Sequence, residues 1–68
     1  MTYTEADNAV KAGKLAWRTG GGWPTAAYLK KNASGTIALF DKAGAEKPYS
    51  ASAGDKAATD WIAGAVRT

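Results

Sequence analysis

The stretch "TYTEADNAVKAGKLAWR", residues 2 to 18, changes its hydrophobic period part-way along, and that change sets the fold class. Up to Lys11 the apolar residues Tyr3, Ala6 and Val10 recur at helical spacing along one face. Thr2 and Glu5 stand three residues apart, as a capping box requires, so a helix begins here. Gly13 ends it, because glycine takes the left-handed conformation that closes a helix, and Lys11 and Lys14 lie at the negative end of the helix dipole. From Leu15 the period drops to two. Leu15 and Trp17 point one way and Ala16 and Arg18 the other, as in a strand with one buried face.

Downstream the pattern stays extended. "AAYLKK" (26–31) and "TIALFD" (36–41) are two strand candidates joined by "NASG", a connection of turn formers suited to a hairpin. Ile37 and Leu39 share one face of the second strand, Ala38 and Phe40 the other. "KAG" (42–44) reads as another tight turn. "AEKPY" (45–49) then reads as a short strand at an edge, since proline cannot donate to the ladder. In the tail (50–68), Ala58, Trp61, Ile62 and Ala65 suit a helix, whereas Trp61, Ala63 and Ala65 alternate against Ile62 and Val66 as in a strand. Gly64 and the β-branched Ile62 and Val66 weigh against the helix. Ser52 and Asp55 repeat the capping-box spacing and mark a short helical turn before a last strand. The expectation is an α+β fold: an N-terminal helix, then a small antiparallel β-sheet with a short helical turn before its last strand, in one domain over residues 1–68.

Composition narrows the chemistry. A chain of 68 residues buries only about 60% of its unfolded surface, and oligomerisation would offset that thin margin. It has neither cysteine nor histidine, which removes disulfides, thiol nucleophiles, the usual zinc sites and imidazole acid–base catalysis. An enzyme would need a nucleophile with a base, a carboxylate pair in unlike environments or a metal, so neither catalysis nor a cofactor is expected. No apolar run reaches the roughly 20 residues needed to span a bilayer, and the N-terminus lacks signal-peptide order, so the expected location is cytoplasmic. The net charge of +3 favours anionic partners.

Binding is where the sequence is richer. In "AWRTGGGWP" (16–24) two tryptophans and an arginine crowd around three glycines. This triplet matches no phosphate-loop pattern. It reads either as a bulged connection or as a place where a ligand approaches the backbone closely. Trp17, Trp23 and Tyr28 supply faces on which a purine can stack, and Arg18 a fork that matches a phosphate. The alternative for each aromatic is core packing, which suits Trp61 best, while Trp23, between glycine and proline, is expected to be exposed. Asp55 and Asp60 could flank a site, although a cap is the simpler role for Asp55. Lys30, Lys31, Lys42, Lys47 and Lys56 could touch nucleic acid, but acidic residues are interspersed, and a solvated surface is the simpler account.

Taken together, "YTEADNAVKAGKLAWR", "GGGW" and "YSASAGDKAATDW" resemble the short phage and prophage domains of the Thoeris anti-defence protein two family. Glu5, Ala6, Val10, Lys11, Gly13, Lys14, Arg18 and Trp23 match its N-terminal pattern, and Ser52, Asp55, Ala58, Asp60 and Trp61 its C-terminal one. Asn8, Ala9, Lys56 and Ala57 are less apolar than that pattern has them, and three glycines precede Trp23 where one or two residues are usual. The resemblance implies a sponge without catalysis. It would sequester a cyclic ADP-ribose-type signal, or a cyclic dinucleotide, inside an infected bacterial cell and keep the host's immune effector inactive. It further implies a homo-oligomer, dimer or tetramer; ligand contacts are expected at the matched Arg18, Trp23, Ser52 and Asp55, and at Tyr28 from its stacking face. The competing expectation is a small basic nucleic-acid- or protein-binding module that inhibits a host factor.

Overall fold

A computed structural model describes residues 1–20 and 22–66. Helix α1 spans Tyr3–Lys11, and its cap is the one the sequence calls for: Thr2 Oγ1 accepts from Glu5 N–H while Glu5 Oε1 accepts from Thr2 N–H. At the other end Gly13 sits at φ +100°. Its N–H reaches Val10 O, and Lys14 N–H reaches Ala9 O, the paired bonds of a Schellman closure. Lys31 Nζ adds a bond to Lys11 O, tying the helix end to the neighbouring sheet.

Five strands follow: β1 Leu15–Arg18, β2 Tyr28–Lys31, β3 Ile37–Phe40, β4 Glu46–Pro48 and β5 Trp61–Gly64, with helix α2 (Ala53–Ala57) before the last. All pairs are antiparallel, in the order β4-β3-β2-β1-β5. The two hairpins use the same device. In "NASGT" and "DKAGA" the carboxamide of Asn32 and the carboxylate of Asp41 each accept two backbone N–H groups, from Ser34 and Thr36 and from Ala43 and Ala45. Gly35 and Gly44 take the left-handed position each loop needs, at φ +82° and +83°. Pro48 lies in the edge strand β4, where its missing N–H costs no ladder bond. The open alternative for the tail resolves by segment: Ser52 caps α2 with Asp55 completing the box, and Trp61 onward is strand.

The fold is thus α+β, and α1 covers one sheet face only. Ala6 and Val10 pack on Ala16, Leu29 and Trp61, with Tyr3, Trp23, Leu39 and Tyr49 around them. Trp61 is the centre of this core. It is 2% exposed, its ring lies 5.7 Å from Tyr3 and 5.4 Å from Trp23, and its Nε1 donates to Asp55 O. The expectation of a single buried face for β1 needs correction. Ala16 is buried under α1, but Trp17, on the opposite face, is only 3% exposed. Its ring lies over Gly64, where an added Cβ would stand 3.7 Å from Trp17 Cη2. Cross-strand neighbours bury much of a large ring even where no helix covers the sheet.

Replacing Trp61 with Ala removes about 3–5 kcal/mol of packing, comparable with the about 5 kcal/mol total of a small domain. Urea titration by circular dichroism should find that variant without a cooperative transition at 25 °C. Ile62→Ala, at a 41% exposed position, should shift stability by about 0.5 kcal/mol or less.

Candidate functional site

The residues singled out from sequence divide between the two faces of the sheet. Arg18, Ser52, Asp55 and Trp23 gather on the face that carries α1, and Tyr28 lies on the other.

On the helix face, Arg18 at the end of β1 is held by two carboxylates. Its Nε donates to Asp60 Oδ1 at 2.9 Å and its Nη1 to Asp55 Oδ1 at 3.0 Å, all three side chains being only partly exposed. The remaining oxygens are occupied too. Asp60 Oδ2 accepts from Gly20 N–H at 2.6 Å, and Asp55 Oδ2 accepts from Tyr49 O–H at 2.9 Å and from Ser52 N–H. One cation against two anions leaves this network net negative, and the dipoles of Gly20, Tyr49 and Ser52 offset the excess. A phosphate would arrive as a third anion. Arg18 is committed to cross-linking β1, α2 and the start of β5.

The titration behaviour follows from these contacts. The Asp60 carboxyl is lowered by the Arg18 hydrogen bond and, against some desolvation, by Gly20 N–H. For Asp55 burial works to raise the carboxyl, but hydrogen bonds from Tyr49, Arg18 and Ser52 outweigh it and the net direction is down. Burial, then the bond to Asp55, pushes the Tyr49 phenol up, so it stays a donor.

Gly20 answers the question that the triplet posed. The backbone is approached closely there, by Asp60: a Cβ on Gly20 would collide with Asp60 Oδ2. Gly22 serves differently, at φ +97°, and Gly21 lies outside the described residues. Trp23, expected to be exposed, is half-buried. Its Nε1 donates to Ala27 O at 2.9 Å and its ring meets Trp61 and Tyr49 edge-on. Ser52 caps α2 through its Oγ. Asp60 and Tyr49 complete the network from 42 residues beyond Arg18 and six residues before Asp55, separations no local pattern reports.

The opposite face carries a different set. Register sets Glu46, Phe40 and Tyr28 abreast, with Trp17 beside Tyr28 and Ile62 beside Trp17. Tyr28 and Phe40 stack with centroids 5.7 Å apart and planes 7° from parallel. In the next row Lys30 stands beside Ala38, its Nζ 6.0 Å from the Phe40 centroid. Lys30 is the one Lys or Arg that β1 to β5 place on this face. Asn32 Nδ2 donates to Glu46 Oε2 at 3.0 Å across Ala38, which explains why Ala38 is 2% exposed. Beside this bridge a cavity of about 380 Å³ opens between the first hairpin and β4, lined by Asn32, Ser34, Thr36, Ala38, Glu46 and Pro48 among others. A volume of this order lies within the range of small-molecule sites. Phe40, Asn32 and Glu46 were absent from the binding residues picked by sequence, and Lys30 stood there only among the scattered lysines that could touch nucleic acid. Their signal was the alternation that sets Tyr28 with Lys30 and Ala38 with Phe40.

Among the described residues no three metal-ligating side chains cluster, and no helix is long and apolar enough to cross a membrane. No known protein family, curated protein or solved structure matches the chain.

Two outcomes follow from the network. Gly20→Ala should cost about 1–3 kcal/mol, because Asp60 must give up its backbone bond or its place on Arg18, and chemical denaturation should show it. Carboxyls held below their usual range stabilise the fold above about pH 4 and lose that contribution as pH falls through their lowered values. The urea midpoint of the wild type should therefore fall between about pH 4 and pH 2, and fall less in Arg18→Gln; equal slopes would remove Arg18 as the cause.

Proposed function

We propose that this chain is a non-catalytic binding protein that sequesters a cyclic ADP-ribose-type or cyclic dinucleotide signal, and so blocks activation of a host immune effector. The two-ended likeness to the phage and prophage anti-defence family supports the biological setting. The observation that carries the binding site is the stacked Tyr28–Phe40 pair with Lys30 beside it on the helix-free face of the sheet. A base adds to parallel aromatic rings by stacking, and an ammonium meets a phosphate as a compact point charge. Holding such a ligand needs no acid or base.

Charge favours a small nucleotide over a polynucleotide. Strands that bind nucleic acid track many phosphates with many cations, and among the described residues the strands offer this face Lys30 alone. Arg18, engaged by two aspartates, supports the face from behind. The reading includes a homo-oligomer in the cytoplasm of an infected cell, whose additional burial would offset the thin margin of a domain of this size.

Isothermal titration against a panel of cyclic ADP-ribose isomers and cyclic dinucleotides, with light scattering in the same buffer, tests this. One member should bind with micromolar or tighter affinity to an oligomer. Tyr28→Ala and Lys30→Ala should each weaken it about tenfold or more, equivalent to about 1.4 kcal/mol, while a folded Arg18→Gln changes it less. Loss of binding in Arg18→Gln alone would move the site to the helix face. Silence across the panel together with strongly salt-dependent binding of single-stranded oligonucleotides would replace the sponge by a nucleic-acid-binding module.

A further inference from the structure

The cavity between the first hairpin and β4 stands apart from the aromatic row, since none of Tyr28, Phe40 and Lys30 lines it. Its charge has one sign. Among the described residues Glu46 is the one charged side chain in its wall, and no lysine or arginine among them is ion-paired with it: the pairs formed are Lys11 with Asp7 and Arg18 with Asp55 and Asp60. A chain with nine Lys and Arg against six Asp and Glu thus leaves this carboxylate to a neutral partner. Asn32 Nδ2 donates to Glu46 Oε2 at 3.0 Å, and Asn32 cannot turn away, because its Oδ1 accepts from Ser34 N–H and Thr36 N–H. An amide fixes where the carboxylate stands without cancelling its charge.

The rest of the wall supplies further acceptors and apolar surface. Ser34 and Thr36 bring hydroxyls; Ile37, Pro48 and Tyr49 bring carbon. Tyr49 is anchored from behind. Its O–H donates to Asp55 Oδ2 at 2.9 Å and its ring meets the Trp23 ring edge-on with centroids 6.4 Å apart, so what it offers the cavity is a held ring rather than a hydroxyl.

We propose that this cavity is a binding site for a small primary alkylammonium ion, with the ammonium on Glu46 and the alkyl chain against Ile37, Pro48 and Tyr49. The site is distinct from the nucleotide surface, and the inference does not rest on that reading. An ammonium has three donors and no acceptor, which matches Glu46 Oε1 and the hydroxyls of Ser34 and Thr36. An aromatic ring nearby adds attraction for a cation and none for an anion. A phosphate or carboxylate ligand would meet Glu46 with no cation in the wall to offset it. The volume, about 380 Å³, lies at the lower end of small-molecule sites and suits a chain of a few carbons.

The test titrates n-butylammonium chloride, with n-butanol as the uncharged counterpart, into ¹⁵N-labelled full chain at about pH 7, where an alkylamine is protonated as a lysine side chain is. Ionic strength is held constant and amide shifts are followed. The ammonium should saturate with a Kd on the order of 1 mM, shifting Ser34, Thr36, Glu46 and Tyr49, and n-butanol should bind at least tenfold more weakly. Glu46→Gln keeps an oxygen for Asn32 Nδ2 at an exposed position, so the variant should fold, and its affinity for the ammonium should drop at least tenfold. Equal affinities for n-butanol and n-butylammonium, or a folded Glu46→Gln that binds the ammonium as the wild type does, would overturn the proposal. Shifts that grow without saturation and spread over Glu5, Asp7 and Asp41 would overturn it too, as pairing with any surface carboxylate. None of these outcomes bears on Tyr28, Phe40 and Lys30, whose proposed ligand is an anion.

Discussion

The ion-paired guanidinium of Arg18 is the constraint on which the rest of the molecule depends. It lies at the end of β1, takes one aspartate from α2 and another from the residue that precedes β5, and so joins segments separated by about 40 residues. Each carboxylate is then completed by a second donor, Gly20 N–H or Tyr49 O–H, which brings the glycine-rich loop and the segment after β4 into the same network. Ion pairs at such half-exposed positions gain little from Coulomb attraction alone, since desolvation offsets it. Their contribution here is geometric. With every oxygen and both engaged nitrogens directed, β5 has one register beside β1, and Trp61 can enter the core only in that register.

That arrangement makes the two faces of the sheet chemically unlike. Strongly directional groups on the helix side are satisfied by one another, and no buried side-chain nitrogen or oxygen among the described residues lacks a hydrogen-bond partner. The helix-free side buries Trp17 among its strand neighbours but leaves Tyr28 and Phe40 half-buried and Lys30 exposed. A small domain that spends large side chains on an uncovered face forgoes burial it can ill spare. A stacked Tyr28–Phe40 pair with Lys30 beside it is consistent with a surface shaped for contact.

Much of the fold was legible because it is local. Thr2 with Glu5, Ser52 with Asp55, Gly13, and the two Asx-x-x-Gly turns each act within five residues, so their signatures stand in the sequence. Period-two alternation likewise sorted Ala16 with Arg18 and Ala38 with Phe40. What alternation does not contain is the identity of the covered face, which depends on where α1 lands, a long-range fact. This is why Trp23 read as exposed although it closes the core, and why the sequence gives no sign that Asp60 and Asp55 engage Arg18 Nε and Nη1. The same blindness hid the candidate site: Lys30, Phe40 and Glu46 become neighbours only once three strands pair.

A polar residue type carries no label for the partner that satisfies it. Arginine beside glycine fits an internal carboxylate as well as an external phosphate, because both present planar or near-planar oxygens to the same fork. Here the glycine decides between them. Gly20 lacks a side chain so that Asp60 can reach its N–H, and a backbone donor already occupied by the protein's own anion has no vacancy for a ligand's. Gly20 and Arg18 therefore belong to the architecture, where they tie the loop after β1 to the residue that precedes β5.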